Sequence, residues 1–213
     1  MKRRDFSAAL ACTAALVPAA SRAQGDPVEG RNYVRLSQPM PVSAAAGKIE
    51  VIDFFWYGCP HCAAFEPELD AWAKRLPEHV AFSRVPVAFR AEPFTTHQRI
   101  FYALEALGLV EAMHRRVFYA VHVERLALDK PAEIASYMGK HGVDPAQFSE
   151  AFRSFTTQSK LRRANLLVDG YKIDGVPAIG VHGRYYTSGT MAGGNERSLA
   201  VADFLVGKLR KSG

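Results

Sequence analysis

The stretch Ile49-Glu50-Val51-Ile52-Asp53-Phe54-Phe55-Trp56-Tyr57-Gly58-Cys59-Pro60-His61-Cys62 decides how the rest of the chain is read. Residues 49–56 are β-branched and aromatic and nearly continuous in apolar content, the pattern of a strand covered on both faces. That strand is expected to be central. Tyr57-Gly58 turns the chain, and over residues 63–76 the apolar positions Ala64, Phe65, Leu69, Trp72 and Leu76 fit helical spacing. Pro60 suits the first helical turn, where its missing N–H costs nothing. Pro67, further in, is expected to kink the helix. Trp56 and Trp72 read as core.

Two cysteines separated by two residues at a strand-to-helix junction can close a disulfide within one helical turn. The first sits where unpaired backbone N–H groups and the positive end of the helix dipole converge, which favours a thiolate on Cys59. Cys62, one turn in, is expected to be the resolving thiol. His61 can add a positive charge or a donor near the Cys59 sulfur, and Pro60 stiffens the turn. Other uses of the pair fit less well. A zinc site needs a second pair or histidines at finger spacing, and the chain has neither. A c-type haem needs histidine after the second cysteine, where this chain has Ala63. A purely structural disulfide would close too small a loop to contribute much stability. Redox chemistry is the favoured reading.

Downstream, residues 79–88 form a second strand candidate, and a helical stretch of roughly 75 residues follows. Within it, Thr95 or Thr96 can cap a helix to about residue 106, and another covers 109–122. Asp129 with Pro131 starts a third that stops near Gly142. Asp144-Pro145-Ala146-Gln147 combines an N-cap, a first-turn proline and a capping glutamine, and a last helix covers about 157–169. Strand character returns over 173–182, and Gly183 with 184–187 reads as the second arm of a hairpin. Residues 188–194 read as a loop, and 195–211 as an amphipathic helix. Upstream, 24–48 is loop-rich, with one edge strand around 33–36.

The first 23 residues read as a cleaved export signal: Lys2, Arg3 and Arg4, then an apolar run of about 15 residues, then Ser21-Arg22-Ala23 before the expected cut near Ala23. That run is short of the roughly 20 residues a membrane-spanning helix needs. The whole chain has 213 residues, 48% of them hydrophobic, with net charge +6 and three cysteines, which excludes a disordered chain and a disulfide-stapled scaffold. Without residues 1–23, 23 basic and 20 acidic residues remain, near +3 and scattered, so nucleic acid is not expected as a partner. Cys12 leaves with the signal, and Cys59 and Cys62 are the remaining thiols. The other six histidines, His79, His97, His114, His122, His141 and His182, lack ligand spacing and read as surface or helix residues. No metal or other cofactor is expected.

Phe54-Phe55 leading into Cys59-Pro60-His61-Cys62, then Phe65-Glu66, with Gly175-Val176-Pro177-Ala178 far downstream, resembles the DsbA family of periplasmic thiol oxidases. The resemblance covers essentially the whole mature chain. It implies an α/β protein: a thioredoxin-like domain formed by 24–93 and 166–213, with a helical domain, 94–165, inserted between its halves. It implies that the Val176–Pro177 bond is cis and that Val176 and Pro177 bind substrate, which would pair with the backbone by β-augmentation. Pro-His between the cysteines, and Val176 before the proline, point to an oxidant. Asp53 stands where the family usually has a buried Glu, which makes it a candidate proton acceptor for Cys62 or tuner of it, with Arg84 a possible partner. An acid that only pairs with Arg84 for structure is the other reading.

The implied reaction is donation of the Cys59–Cys62 disulfide to newly exported proteins in the periplasm. Regeneration would fall to a DsbB-like membrane oxidase that passes electrons to quinone. If Cys59 ionises about four units below 8.5, the dithiol form gains roughly 3–4 kcal/mol at neutral pH, somewhat under 100 mV. DsbA proteins are themselves the reference case for such a thiolate and potential, so the arithmetic agrees with the family without independently predicting it. An isomerase or reductant on the same core, or a peptide-binding or chaperone module, are the alternatives. An isomerase of the familiar periplasmic kind needs a dimerisation domain that 25 loop-rich residues cannot supply. A monomer is expected.

Overall fold

Strand β2 (Ile49–Phe55) has all seven residues buried, because it is paired along both edges and covered on both faces. It runs parallel to β3 (Val80–Pro86) and antiparallel to β4 (Ala178–Val181). A computed structural model describes residues 25–211; the expected export signal and its cut near Ala23 lie outside them. Strands β1 (Val34–Arg35) and β5 (Tyr185–Ser188) complete a five-stranded sheet in the order β1-β5-β4-β2-β3. The parallel pair is joined by helix α1 (Pro60–Ala73), a βαβ unit.

The alternation of β2 separates two cores. Val51 faces Phe65 and Leu69 of α1, together with Leu205 of the C-terminal helix α8 (Asn195–Lys211). Trp72 Nε1 donates to Asp203 Oδ1 at 2.9 Å and ties those two helices together. Ile52 and Phe54 face the other way, into a core with residues of α2 (Phe94–Ala106), α3 (Val110–His122) and α6 (Phe155–Tyr171). Cys59 and Cys62 belong to this second core, so the inserted helices reach the cysteine pair. Two further helices, α4 (Pro131–Lys140) and α5 (Pro145–Arg153), complete the insertion.

Most elements lie where the sequence predicts them, and the differences are at ends and caps. Asp144 caps α5 as expected, its Oδ1 accepting from Ala146 and Gln147 N–H at 2.8 Å each. Helix α2 is not capped by Thr95 or Thr96: its N-cap is Pro93, and Glu92 Oε2 accepts the Thr96 N–H at 3.2 Å. Helix α4 starts at Pro131 after Lys130, with no side-chain cap from Asp129. Helix α6 begins two residues earlier than predicted, because Ser154 accepts the Thr157 N–H at 3.1 Å. The segment read as a loop at 188–194 contains a short helix, α7 (Gly189–Ala192), capped by Ser188.

The expected division at 165/166 falls inside continuous α6, whose last turns pack on the sheet. Tyr171 lies 5.2 Å from the Phe54 ring, and a side chain at Gly180 would come within 2.6 Å of the Tyr171 ring. No described helix is long and apolar enough to cross a membrane.

Candidate active site

Strand β2 ends at Phe55, and the Cys59 N–H donates to Trp56 O at 2.9 Å, closing a turn that delivers Cys59 to the start of α1. Gly58 is required there, because a Cβ would lie 2.3 Å from the Trp56 ring. Trp56 is half-buried rather than core, stacked on Phe94 at 4.0 Å. Cys59 is itself the N-cap of α1: its sulfur accepts the Cys62 N–H at 3.3 Å, and Pro60 follows in the first turn. Both cysteines are free thiols, 7% and 3% exposed, while Pro60 and His61 are exposed beside them.

The Cys59 thiol is lowered to about 6. The hydrogen bond from the Cys62 side chain contributes most, opposed by burial, and the backbone N–H groups of Cys62 and His61 and the His61 charge add to it. The drop is smaller than the four units assumed from the sequence, and His61 is a minor contributor. Cys62 is pushed the other way, by burial first and then by its hydrogen bond to Cys59 and the Cys59 and Asp53 charges. The pair is thus one readily ionised sulfur in front of one that holds its proton.

The Val176–Pro177 bond is cis, and the Val176 carbonyl lies 3.5 Å from the Cys59 sulfur, positioned to accept from its thiol. A cleft of about 520 Å³ adjoins them, lined by His61, Val176, Pro177, Tyr186 and Met191 among others.

Beneath the cysteines, Asp53 is 1% exposed, and its Oδ1 has no hydrogen-bond partner. Arg84 stands opposite it in the β2–β3 register, yet its hydrogen bonds go elsewhere. Arg84 Nη2 donates to Glu66 Oε1 at 2.5 Å and to Asp70 Oδ1 at 2.6 Å, and reaches Asp53 only through its field. Glu66 and Asp70, one turn apart on α1, are the partners the sequence did not reveal.

Burial, then the Glu66 charge, raise the Asp53 carboxyl well above the carboxylate range, with Arg84 opposing. A carboxyl raised by folding stabilises the native state only below its unfolded pKa, and that contribution is lost as pH rises through the folded value. Asp53→Asn is therefore expected to raise the melting temperature of the reduced protein at pH 8 by roughly 2–4 °C, the gain shrinking toward pH 4. Thermal denaturation across that range checks it, and an unchanged or lower value at pH 8 contradicts it.

Two of the histidines read as surface or helix residues are buried. His97 is 2% exposed with Nε2 at 3.0 Å from Ala127 O, and His114 is 3% exposed with Nδ1 at 2.9 Å from Tyr57 OH. The signal for His114 was its place among Met113, Val117 and Phe118 on the apolar face of α3. Among the described residues no group of three or more His, Cys, Asp or Glu is arranged to hold a metal ion.

A family profile described as a DSBA-like thioredoxin domain matches residues 50–206. The chain belongs to the DsbA family. The DsbA thiol:disulfide interchange protein of Burkholderia cepacia is 42% identical over 180 residues, 84% of each chain. That of Azotobacter vinelandii is 43% identical over 183 residues, 86% of this chain and 85% of the relative. The crystal structure of Pseudomonas aeruginosa DsbA superposes with a TM-score of 0.84 at 40% identity, over 87% of this chain and 96% of that one. As a DsbA protein the chain is a thiol:disulfide oxidoreductase with the thioredoxin-like fold.

Proposed function

We propose that the oxidised Cys59–Cys62 pair is donated to dithiols in newly exported, unfolded proteins. The observation that carries this is the asymmetry of the pair: Cys59 caps α1 and ionises near 6, while the thiol of Cys62 is held protonated behind it. A substrate thiolate attacks the Cys59 sulfur, forming a mixed disulfide, and the electron pair of the broken S–S bond leaves on Cys62. Asp53 is the group that can return a proton to Cys62 and, in the reverse direction, remove it. A second substrate thiolate then attacks the substrate's own sulfur and expels Cys59 as thiolate. The substrate loses two electrons and two protons, and the enzyme gains the electrons as a dithiol.

With Cys59 at about 6, ionisation favours the dithiol about tenfold at pH 7, roughly 1.4 kcal/mol or about 30 mV. That contribution is fully present only above the unfolded thiol's pKa and is lost as pH falls through 6. Val176 and Pro177 present the backbone against which an extended substrate segment would pair, with little sequence selectivity. The division into a thioredoxin-like domain, 24–93 with 166–213, and an inserted helical domain, 94–165, belongs to the same reading. So do export to the periplasm after cleavage near Ala23, a monomeric state, and reoxidation by a DsbB-like, quinone-linked membrane oxidase.

Mixing the oxidised protein with a reduced unfolded protein should form substrate disulfides stoichiometrically, one per enzyme. Substoichiometric reduced protein should leave a scrambled disulfide protein largely unrepaired. Efficient repair of the scrambled protein with poor oxidation of the reduced one would instead indicate an isomerase.

A further inference from the structure

Tyr57 lies two residues before Cys59 and is wholly buried. It stands in the turn closed by the Cys59 N–H to Trp56 O bond, so its position sets where the Cys59 sulfur emerges. Both of its polar ends are held by one helix of the insertion. The Tyr57 hydroxyl is 2.9 Å from His114 Nδ1, and His122 Nε2 is 2.8 Å from the Tyr57 carbonyl oxygen. His114, Phe118 and His122 follow at four-residue spacing on α3, so they form one stripe two turns long. The Phe118 ring meets Tyr57 edge-on at 5.0 Å between the two histidines, and the Phe55 ring closes the box at 5.1 Å from Tyr57 and 4.9 Å from His114.

The hydrogen positions follow from the partners. A carbonyl only accepts, so His122 Nε2 carries a proton and donates to Tyr57 O. On its far side His114 Nε2 faces Glu66 Oε1 at 3.4 Å, a long contact short of a full hydrogen bond. A carboxylate also only accepts, which puts the His114 proton on Nε2 and leaves Nδ1 to accept from the Tyr57 hydroxyl. Burial lowers the His114 pKa, in keeping with a neutral ring. Glu66 is in turn fixed by Arg84. One chain of contacts therefore runs from the ion cluster under α1, through α3, to the turn before Cys59.

We propose that His114 and His122 are positioning residues for disulfide transfer, holding Tyr57 at both ends so that the Cys59 sulfur stays seated on the N–H groups at the start of α1. The helical insertion then does more than cover the sheet, because α3 carries both histidines. The proposal rests on Cys59 being the reactive thiol. Loosening the turn moves the sulfur away from the Cys62 N–H, 3.3 Å distant, and the thiolate loses part of its stabilisation.

The test is the titration of the Cys59 thiolate in the reduced protein, read from its ultraviolet absorbance against pH. In the unmodified protein the midpoint should lie near 6; a midpoint near that of a free thiol would instead overturn the account of Cys59 itself. His114→Leu should raise the midpoint by about one unit, a tenfold loss of thiolate at a given pH. Tyr57→Phe, which removes one oxygen from a buried ring, should raise it in the same direction, and combining the two should add nothing further. His114→Gln, whose amide can both accept from Tyr57 and donate toward Glu66, should stay within about 0.3 unit of the unmodified protein. Should His114→Leu fail to fold, Tyr57→Phe decides alone. A Tyr57→Phe protein that titrates with the unmodified one overturns the proposal, as does a His114→Gln protein shifted as far as His114→Leu.

Discussion

Replacing Cys59 with serine is expected to reduce disulfide transfer to the uncatalysed background, the largest effect of any single substitution. Cys59 is the sulfur that caps α1, faces the Val176 carbonyl and ionises near 6. A hydroxyl in its place can neither hold the disulfide nor leave as a thiolate, so both halves of the reaction fail. Cys62→Ser is expected to behave differently. Cys59 keeps its nucleophilicity but lacks the neighbour that would release a bound thiol, so mixed disulfides should accumulate on it. Mass spectrometry after exposure to a disulfide-containing peptide should show a covalent adduct on Cys62→Ser and far less on Cys59→Ser. The reverse pattern would exchange the roles of the two cysteines.

The second large effect is expected at Arg84, in stability rather than turnover. Its side chain is 14% exposed and bonds Glu66, itself 4% exposed, and Asp70, and it stands opposite wholly buried Asp53. Removing the cation leaves the Glu66 and Asp70 carboxylates it bonds without compensation. A broken buried pair typically costs about 3–5 kcal/mol, equivalent here to a fall in melting temperature on the order of 10 °C. Arg84→Leu should therefore be strongly destabilised at pH 7.5. Arg84→Lys should recover part of the loss, since it restores charge without the planar fork. Urea denaturation at pH 7.5 checks this, and a cost under about 1 kcal/mol would mean that the cluster is hydrated well enough not to need the cation.

The sequence carried the skeleton of the site better than its surroundings. Strand β2 and the start of α1 were legible because a continuous apolar run ending in Gly58 and Pro60 leaves the backbone few options. The Asp144-Pro145 cap was equally local. What sits under the cysteines was not local. Arg84 lies opposite Asp53 along the strands, but its hydrogen bonds are decided by where Glu66 and Asp70 project from α1, one layer above. His114 reads as one histidine among several until α3 is docked on the sheet, and then it meets Tyr57 and Glu66 together. The division expected at 165/166 falls within α6, because a helix that begins in the insertion and ends against Phe54 and Gly180 has no break to mark.

Whether this protein gives its disulfide away is read from the equilibrium reduction potential of Cys59–Cys62, measured against glutathione at pH 7. A disulfide donor should show a value above about −200 mV, where the dithiol is the favoured state against the thiols of an unfolded substrate. A value below that line, down toward the roughly −270 mV of thioredoxins, would contradict it and make the protein a reductant.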